Sequence, residues 1–417
     1  MSKKVLIVSY TFPPKSGIGG RRWAKFAKYL NRSGTDVRVL TFTSKGDSNL
    51  SNWKRDINEY EDKIEKVHPI KPYFIDTNSP NSIIGKVRYR FSLFFWKLKY
   101  RGNYFDETVA MQKQVMNLLE KYYSQGFNNI VITSAPFLLS YYGALFKVKY
   151  PLCNLLLDFR DPWTNNQMGY QYRFLPKDRL EFEKQIEKIT INNSNFVYSV
   201  NQTMVNYFNS INLNKSVISK LINNGYDVED FIFQNTTTKK VDSDKINFIY
   251  AGAIYEETEY ILDPFFDAIN QLDLVPGIED KILFNFYCDI QEKYKSKINN
   301  SKIIKINKPV SLTEIHQLIE INDICMLFLT KDMRDSFSTK FYEYLFHKKF
   351  ILVFSEKGET ANFVETNRIG LHIGSQNIFE KISEIILKPD LIRFNKEFNS
   401  SMFDVRNIAD NINNDLI

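Results

Sequence analysis
Three short segments of this 417-residue chain concentrate side chains that could do chemistry. The first is Ser336-Phe337-Ser338-Thr339-Lys340-Phe341-Tyr342-Glu343-Tyr344-Leu345. Ser338 and Thr339 have the composition of a helix N-terminus, and Lys340 falls in its first turn. Hydroxyls, free backbone N–H groups and an ammonium at one helix end make a site for a diphosphate. An ordinary capped helix with a solvent-facing Glu343 is the plain alternative. The second segment, Thr11-Phe12-Pro13-Pro14-Lys15-Ser16-Gly17-Ile18-Gly19-Gly20-Arg21-Arg22, runs from an apolar stretch into a helical pattern. Gly19 and Gly20 would let the backbone approach a ligand, and two arginines add charge at the helix start. A dinucleotide fingerprint does not fit. Gly17-x-Gly19-x-x-Arg22 has arginine where the third glycine belongs, and no acid ends the Val37–Thr41 run. The third segment is Asp158-Phe159-Arg160-Asp161-Pro162-Trp163. Asp161 falls just past a strand, placed to meet a ligand hydroxyl or to hold Arg160. A structural Arg160–Asp161 pair with Trp163 packed beside it is the alternative.

Metal chemistry finds little support. Asp158-x-x-Asp161 is not a DxD site, and His68, His316, His347 and His372 lack ligand spacing. No metal and no cofactor are expected, and His316 and His347 read as ordinary surface or helix residues. Cys153, Cys288 and Cys325 are too few and too scattered for a disulfide framework, which fits a reducing, cytoplasmic setting.

The elements that must position these segments alternate. Apolar runs at Val5–Ser9, Val37–Thr41, Ile130–Thr133, Leu155–Asp158 and Phe196–Ser199 have the character of strands buried on both faces. Amphipathic helical patterns such as Arg22–Asn31 and Thr108–Tyr123 lie between them. After the turn signal Asn223-Asn224-Gly225 and a polar stretch, Gln234 to Lys245, the series restarts. Asn247–Ala251, Ile282–Tyr287, Ile303–Ile306, Ile324–Leu329 and Phe350–Phe354 are its strands. The fold class is therefore α/β, with two doubly wound, Rossmann-like domains facing a cleft. The domains are expected at 1–222 and 223–395, with 396–417 packing back on the first.

Composition excludes disorder and low complexity: 43% of residues are apolar and 25% charged. The net charge of +7 hides an asymmetry. Residues 1–222 carry 33 basic and 17 acidic side chains, the remainder 22 and 31. An anionic partner for the first half follows. The stretch from Gly85 to Phe105 is its most basic part, with six Lys/Arg and no acid. At helical spacing Val87, Phe91, Phe94, Phe95 and Leu98 share a face. Arg90, Lys97 and Arg101 flank it on one side, with Trp96 and Tyr100 nearby. That pattern suits an anionic membrane surface; no recognition motif points to nucleic acid. The N-terminus lacks a signal-peptide core, because Pro13 and Pro14 follow the apolar run too soon. The uncharged stretch Tyr122–Phe146 reads as strand, turn and helix rather than a membrane span.

Several of these segments, in order, resemble retaining glycosyltransferases of the GT-B fold, family four. The Pro-Pro-x-x-Gly-x-Gly-Gly opening is similar to that family's first loop. The DFRDPW segment resembles one bacterial branch, and Asn224-Gly225-Tyr226-Asp227 resembles the domain junction. Phe248-Ile249-Tyr250-Ala251-Gly252 resembles the start of the nucleotide-binding domain, and Asp335 with Glu343 resembles its paired-acid motif. Two positions depart from the pattern: Asp335 stands where Glu is usual, and the loop after Gly252 has no Arg-Lys pair. The resemblance implies transfer of a sugar from a nucleotide diphosphate donor to a glycan or lipid-linked acceptor, at the cytoplasmic membrane face. It implies the base near Gly252, diphosphate at Ser338, Thr339 and Lys340, ribose at Glu343 and sugar near Asp335. Lys340, with Arg22 second, would stabilise the leaving group; Gly19, Gly20 and Asp161 would complete the site. A nucleotide-sugar epimerase of the same fold, or a catalytically weak partner subunit, is the alternative.

Overall fold
A computed structural model describes residues 2–14, 18–43, 53–77, 80–166, 169–231 and 244–417. Residues 15–17 of the first loop and most of the polar stretch Gln234 to Lys245 lie outside the described residues. The chain forms two compact units. The first comprises Met1–Asn223 with Val405–Ile417, the second Asn224–Asp404. The return to the first unit thus begins at Val405 rather than at residue 396.

The first unit holds seven parallel strands: β1 (Lys4–Ser9), β2 (Asp36–Phe42), β3 (Ile64–Val67), β4 (Asn129–Ser134), β5 (Asn154–Phe159), β6 (Phe196–Ser199) and β7 (Ile218–Leu221). Their order is β3-β2-β1-β4-β5-β6-β7. The second unit holds six: β8 (Ile246–Ala251), β9 (Ile282–Tyr287), β10 (Ile304–Asn307), β11 (Ile324–Phe328), β12 (Phe350–Phe354) and β13 (Gly370–Ile373). Their order is β10-β9-β8-β11-β12-β13, again parallel throughout. Each sheet reverses direction of winding beside its first strand, between β1 and β4 and between β8 and β11. Such switch points open a crevice at the carboxyl ends of the strands.

Burial explains why the central strands form. Every residue of β4, β5, β11 and β12 is buried, as a parallel sheet covered on both faces requires. The helix Ile18–Arg32 buries Trp23, Ala24, Phe26, Ala27 and Leu30 against one face of the first sheet. It stops at Gly34, whose φ of +89° lets Thr35 N–H return to the Leu30 carbonyl. The C-terminal helix Val405–Asn414 packs into the same core through Val405, Ile408, Ala409 and Ile412.

Candidate functional site
In the second unit, the strand β11 leads through a loop to the helix Thr339–Phe346, with Ser338 as its N-cap residue. The helix is fixed from below. Tyr344 Oη donates to the Met326 carbonyl on β11 (3.2 Å), and Phe341, Tyr342 and Leu345 are buried. The approach loop is stapled to the helix Glu359–Thr366. Glu359 N–H donates to Asp335 Oδ1 (2.9 Å), Thr360 N–H to the Arg334 carbonyl (3.2 Å) and Thr360 Oγ1 to the Ser336 carbonyl (3.2 Å). Asp335 thus spends one carboxylate oxygen on a neighbouring helix start, a role the sequence pattern did not show.

Ser338 and Lys340 come together at the helix N-terminus. The Ser338 side chain makes no capping bond, and its Oγ is out of contact with solvent and without a hydrogen-bond partner among the described residues. The N–H groups of Thr339 and Lys340 have no preceding turn to donate to. Lys340 reaches back over the end of β8. Its ammonium lies 5.4 Å from the centre of the Tyr250 ring and makes no hydrogen bond or ion pair among the described residues. Burial pulls its pKa below the ordinary lysine value, opposed by the charge of Glu343 one turn on and by Cys288. Gly252, at φ +132°, gives Lys340 its room: a Cβ there would collide with the lysine Cε. The space at Gly252 is therefore filled by the lysine chain itself. Thr339 is exposed, and Glu343 half-buried. The arrangement concentrates positive potential and one orphan hydroxyl at a helix start, which suits an anion.

In the first unit the sequence expectation for Arg22 meets a different environment. Arg22 is 6% exposed. Its Nη2 lies 2.9 Å from Asp158 Oδ1 and donates to the Ile222 carbonyl (2.7 Å), while Nη1 donates to the Asn223 carbonyl (2.7 Å). Trp23 Nε1 (2.7 Å) and Thr133 Oγ1 (3.2 Å) complete the shell of Asp158. Arg22 is embedded as a brace between the helix, β5 and the end of β7. Arg21 likewise pairs with Asp56 (2.7 Å) and stacks on Trp53.

Among the described residues, Arg160 is a further cation at the carboxyl end of this sheet. It follows β5 directly, and its guanidinium lies against Gly19, where a Cβ would collide with Nη1. Its hydrogen bond to the Ser134 carbonyl is long, at 3.5 Å. Gly20 is needed because a Cβ would strike the Thr11 backbone. No Arg160–Asp161 ion pair forms among the described residues; Asp161 instead accepts from Tyr170 Oη (3.0 Å). Trp163 is buried and stacked on Phe137 at 5.5 Å, and its Nε1 donates to Glu183 (2.9 Å). Arg160 had a sequence signal: it sits immediately past a central strand, the position that faces ligand in an open α/β sheet.

Two other expectations change. His316 lies on a helix, one of its two expected settings, but is buried, and its Nδ1 lies 3.4 Å from Nε2 of the half-buried His347. Phe231 packs against both rings, and burial pushes the His347 pKa down to about 4. Trp96 turns away from the apolar face of its helix and packs on the first unit's core. All three cysteines are free and buried, with the Cys153 and Cys288 thiols pushed up to about 12. No nucleophilic thiolate is on offer.

No protein-family profile and no curated protein matches the chain. Solved structures match it over almost its whole length. A glycosyltransferase from Rickettsia africae ESF-5 aligns with a TM-score of 0.64 at 15% identity, covering 99% of this chain and 98% of the other. Sucrose-phosphate synthase from Thermosynechococcus elongatus gives 0.59 at 11% identity, covering 99% and 98%. The fold is that of GT-B glycosyltransferases. UDP-GlcNAc 2-epimerase from Neisseria meningitidis, solved with UDP-GlcNAc bound, gives 0.58 at 13% identity, covering 99% of each chain. At such identities the shared GT-B architecture carries more than one reaction.

Proposed function
We propose that this protein is a retaining glycosyltransferase that moves a sugar from a nucleoside diphosphate donor to a hydroxyl acceptor in surface-glycan assembly. The observation that carries this reading is the helix start at Ser338–Lys340. There, among the described residues, a desolvated ammonium without an ion-pair partner shares a helix start with a buried hydroxyl without a hydrogen-bond partner. Two oxygens of a diphosphate would satisfy both, and the first-turn N–H groups would add to the binding. The carboxylate of Glu343, on the same helix, would take the ribose hydroxyls. The acceptor is assigned to the carboxyl end of the first sheet, near Gly19, Arg160 and Asp161, with Arg22 as a positioning residue.

Leaving-group stabilisation is the main catalytic contribution. As the glycosidic C–O bond breaks, negative charge grows on the donor phosphate, and Lys340 is already in place to meet it. Removing one such preorganised donor typically lowers turnover by about 100–1000-fold. Lys340→Ala is expected to do so with the melting temperature unchanged within a few degrees. Near-normal turnover would remove the diphosphate assignment. The matched epimerases motivate a second measurement. Incubation with UDP-sugars and no acceptor should leave the sugar configuration unchanged; acceptor-free epimerisation would decide for the other reaction. A chain that binds no nucleoside diphosphate in calorimetric titration would be a non-catalytic subunit.

A further inference from the structure
We propose that the helix Ile83–Lys99 lies in the interface of an anionic lipid bilayer and attaches the first unit to it. At about 100° per residue, Ile83, Ile84, Val87, Phe91, Phe94, Phe95 and Leu98 fall within one third of the helix circumference. All seven are exposed, from 47% at Phe95 to 82% at Ile83. The opposite side is fixed to the protein. Gly85 is buried, Tyr89 meets the Phe74 ring edge-on at 6.3 Å, and Trp96 packs on the core. Ser82 caps the start by accepting from Gly85 N–H, and Arg179 donates to the carbonyls of Lys97 in the last turn and of Tyr100 and Gly102 beyond it. The helix is therefore held in place with its apolar face outward, on a contiguous patch that a monomer in water rarely leaves open.

The charges select the occupant. Lys86, Arg90 and Lys97 border the apolar arc on one side, Arg88 and Lys99 on the other, and Arg101 follows the helix end. None of the six makes an ion pair among the described residues, and no Asp or Glu occurs between Asp76 and Asp106. Cations on both borders sit at head-group depth when the apolar arc is immersed. A second copy is disfavoured, because a two-fold contact would set this cationic patch against itself. Among the described residues no helix is long and apolar enough to cross a membrane, so the contact is peripheral.

The test is co-sedimentation of the full chain with phosphatidylcholine vesicles, with and without phosphatidylglycerol. The protein should pellet with the anionic vesicles and be released as salt rises to about 0.5 M, where screening shortens to a few ångströms. Phe91→Ser with Phe94→Ser and Leu98→Ser should lower partitioning by about 100-fold or more. Lys86→Glu with Arg90→Glu and Lys97→Glu should do the same, each cation being worth about fivefold near the surface. Both sets alter exposed side chains, so the melting temperature should hold, and vesicle binding is read independently of any sugar transfer. Wild-type protein that stays in the supernatant with anionic vesicles overturns the proposal. So does a solution dimer that the Phe91→Ser set splits.

Discussion

Ser338 places a hydroxyl oxygen out of water with no partner among the described residues. Leaving such a group unpaired costs the fold about 1–3 kcal/mol, so its retention asks for a benefit elsewhere. Capping is not that benefit, since the side chain accepts no helix N–H. Ser338→Ala is expected to leave the melting temperature unchanged or raise it slightly, while weakening nucleoside diphosphate binding about tenfold. Scanning calorimetry and titration on the same sample check the split. A lower melting temperature with unchanged affinity would assign the hydroxyl to folding instead. The place of Lys340 at a helix start was legible in the sequence because two hydroxyl residues precede it. Arg22 was misleading for a physical reason: sequence displays a charge but not whether its donors are already used. Asp158, Ile222 and Asn223 use those of Arg22, whereas the half-buried Arg160 makes one long hydrogen bond.

At the scale of elements, the ten strands expected from apolar runs all form, each within about two residues of its expected bounds. The three that sequence reasoning passed over are β3, β7 and β13, three of the four edge strands, with the sequences IEKV, ISKL and GLHI; the fourth, β10, was marked by Ile303, Ile304 and Ile306. An edge strand has one neighbour and a solvated side, so it lacks the continuous apolar run that marks a central one. The histidine pair escaped notice for a related reason. His316 lies on the helix Leu312–Ile321 and His347 just past Thr339–Phe346, and only the fold brings them together around Phe231 and Phe346. Burial, with some help from the Lys349 charge, holds His347 at a pKa of about 4, against about 6.5 for an exposed imidazole. Between these values the unfolded chain binds the additional proton. Stability is therefore whole above about pH 6.5 and falls as the pH drops toward 4, by at most about 1.4 kcal/mol per pH unit. His347→Gln should flatten that acid limb. Melting temperatures of both proteins from pH 4 to 7 test this, and parallel curves would show that His347 does not titrate between them.

For the whole molecule, the charge asymmetry survives the actual division of the chain. The first unit holds 34 basic and 19 acidic residues, +15, and the second 21 and 29, −8. The second unit thus carries the proposed anion site against its own net sign, through local groups at one helix start. The division also makes the first unit discontinuous, because its core is closed by residues from the far end of the chain. Val405, Ile408, Ala409, Ile412 and Leu416 are buried in the cluster that includes Trp23, Phe26 and Leu30. Polar ties fasten the same segment: Asp415 accepts from Tyr198 (2.7 Å) and pairs with Lys220, and Ile417 N–H donates to Asn129 (2.8 Å). Burying each large aliphatic side chain is worth about 1.5–3 kcal/mol, and whole domains are stable by only about 5–15 kcal/mol. Removing residues 405–417 should therefore unfold the first unit or cut its stability severely, while 224–404 keeps its own core. Expressed alone, 1–223 should be insoluble or lack a cooperative thermal transition, and joining 405–417 to it through a flexible linker should restore one. A fragment 1–223 that melts cooperatively without the C-terminal segment would show that the returning helix only decorates a core already complete.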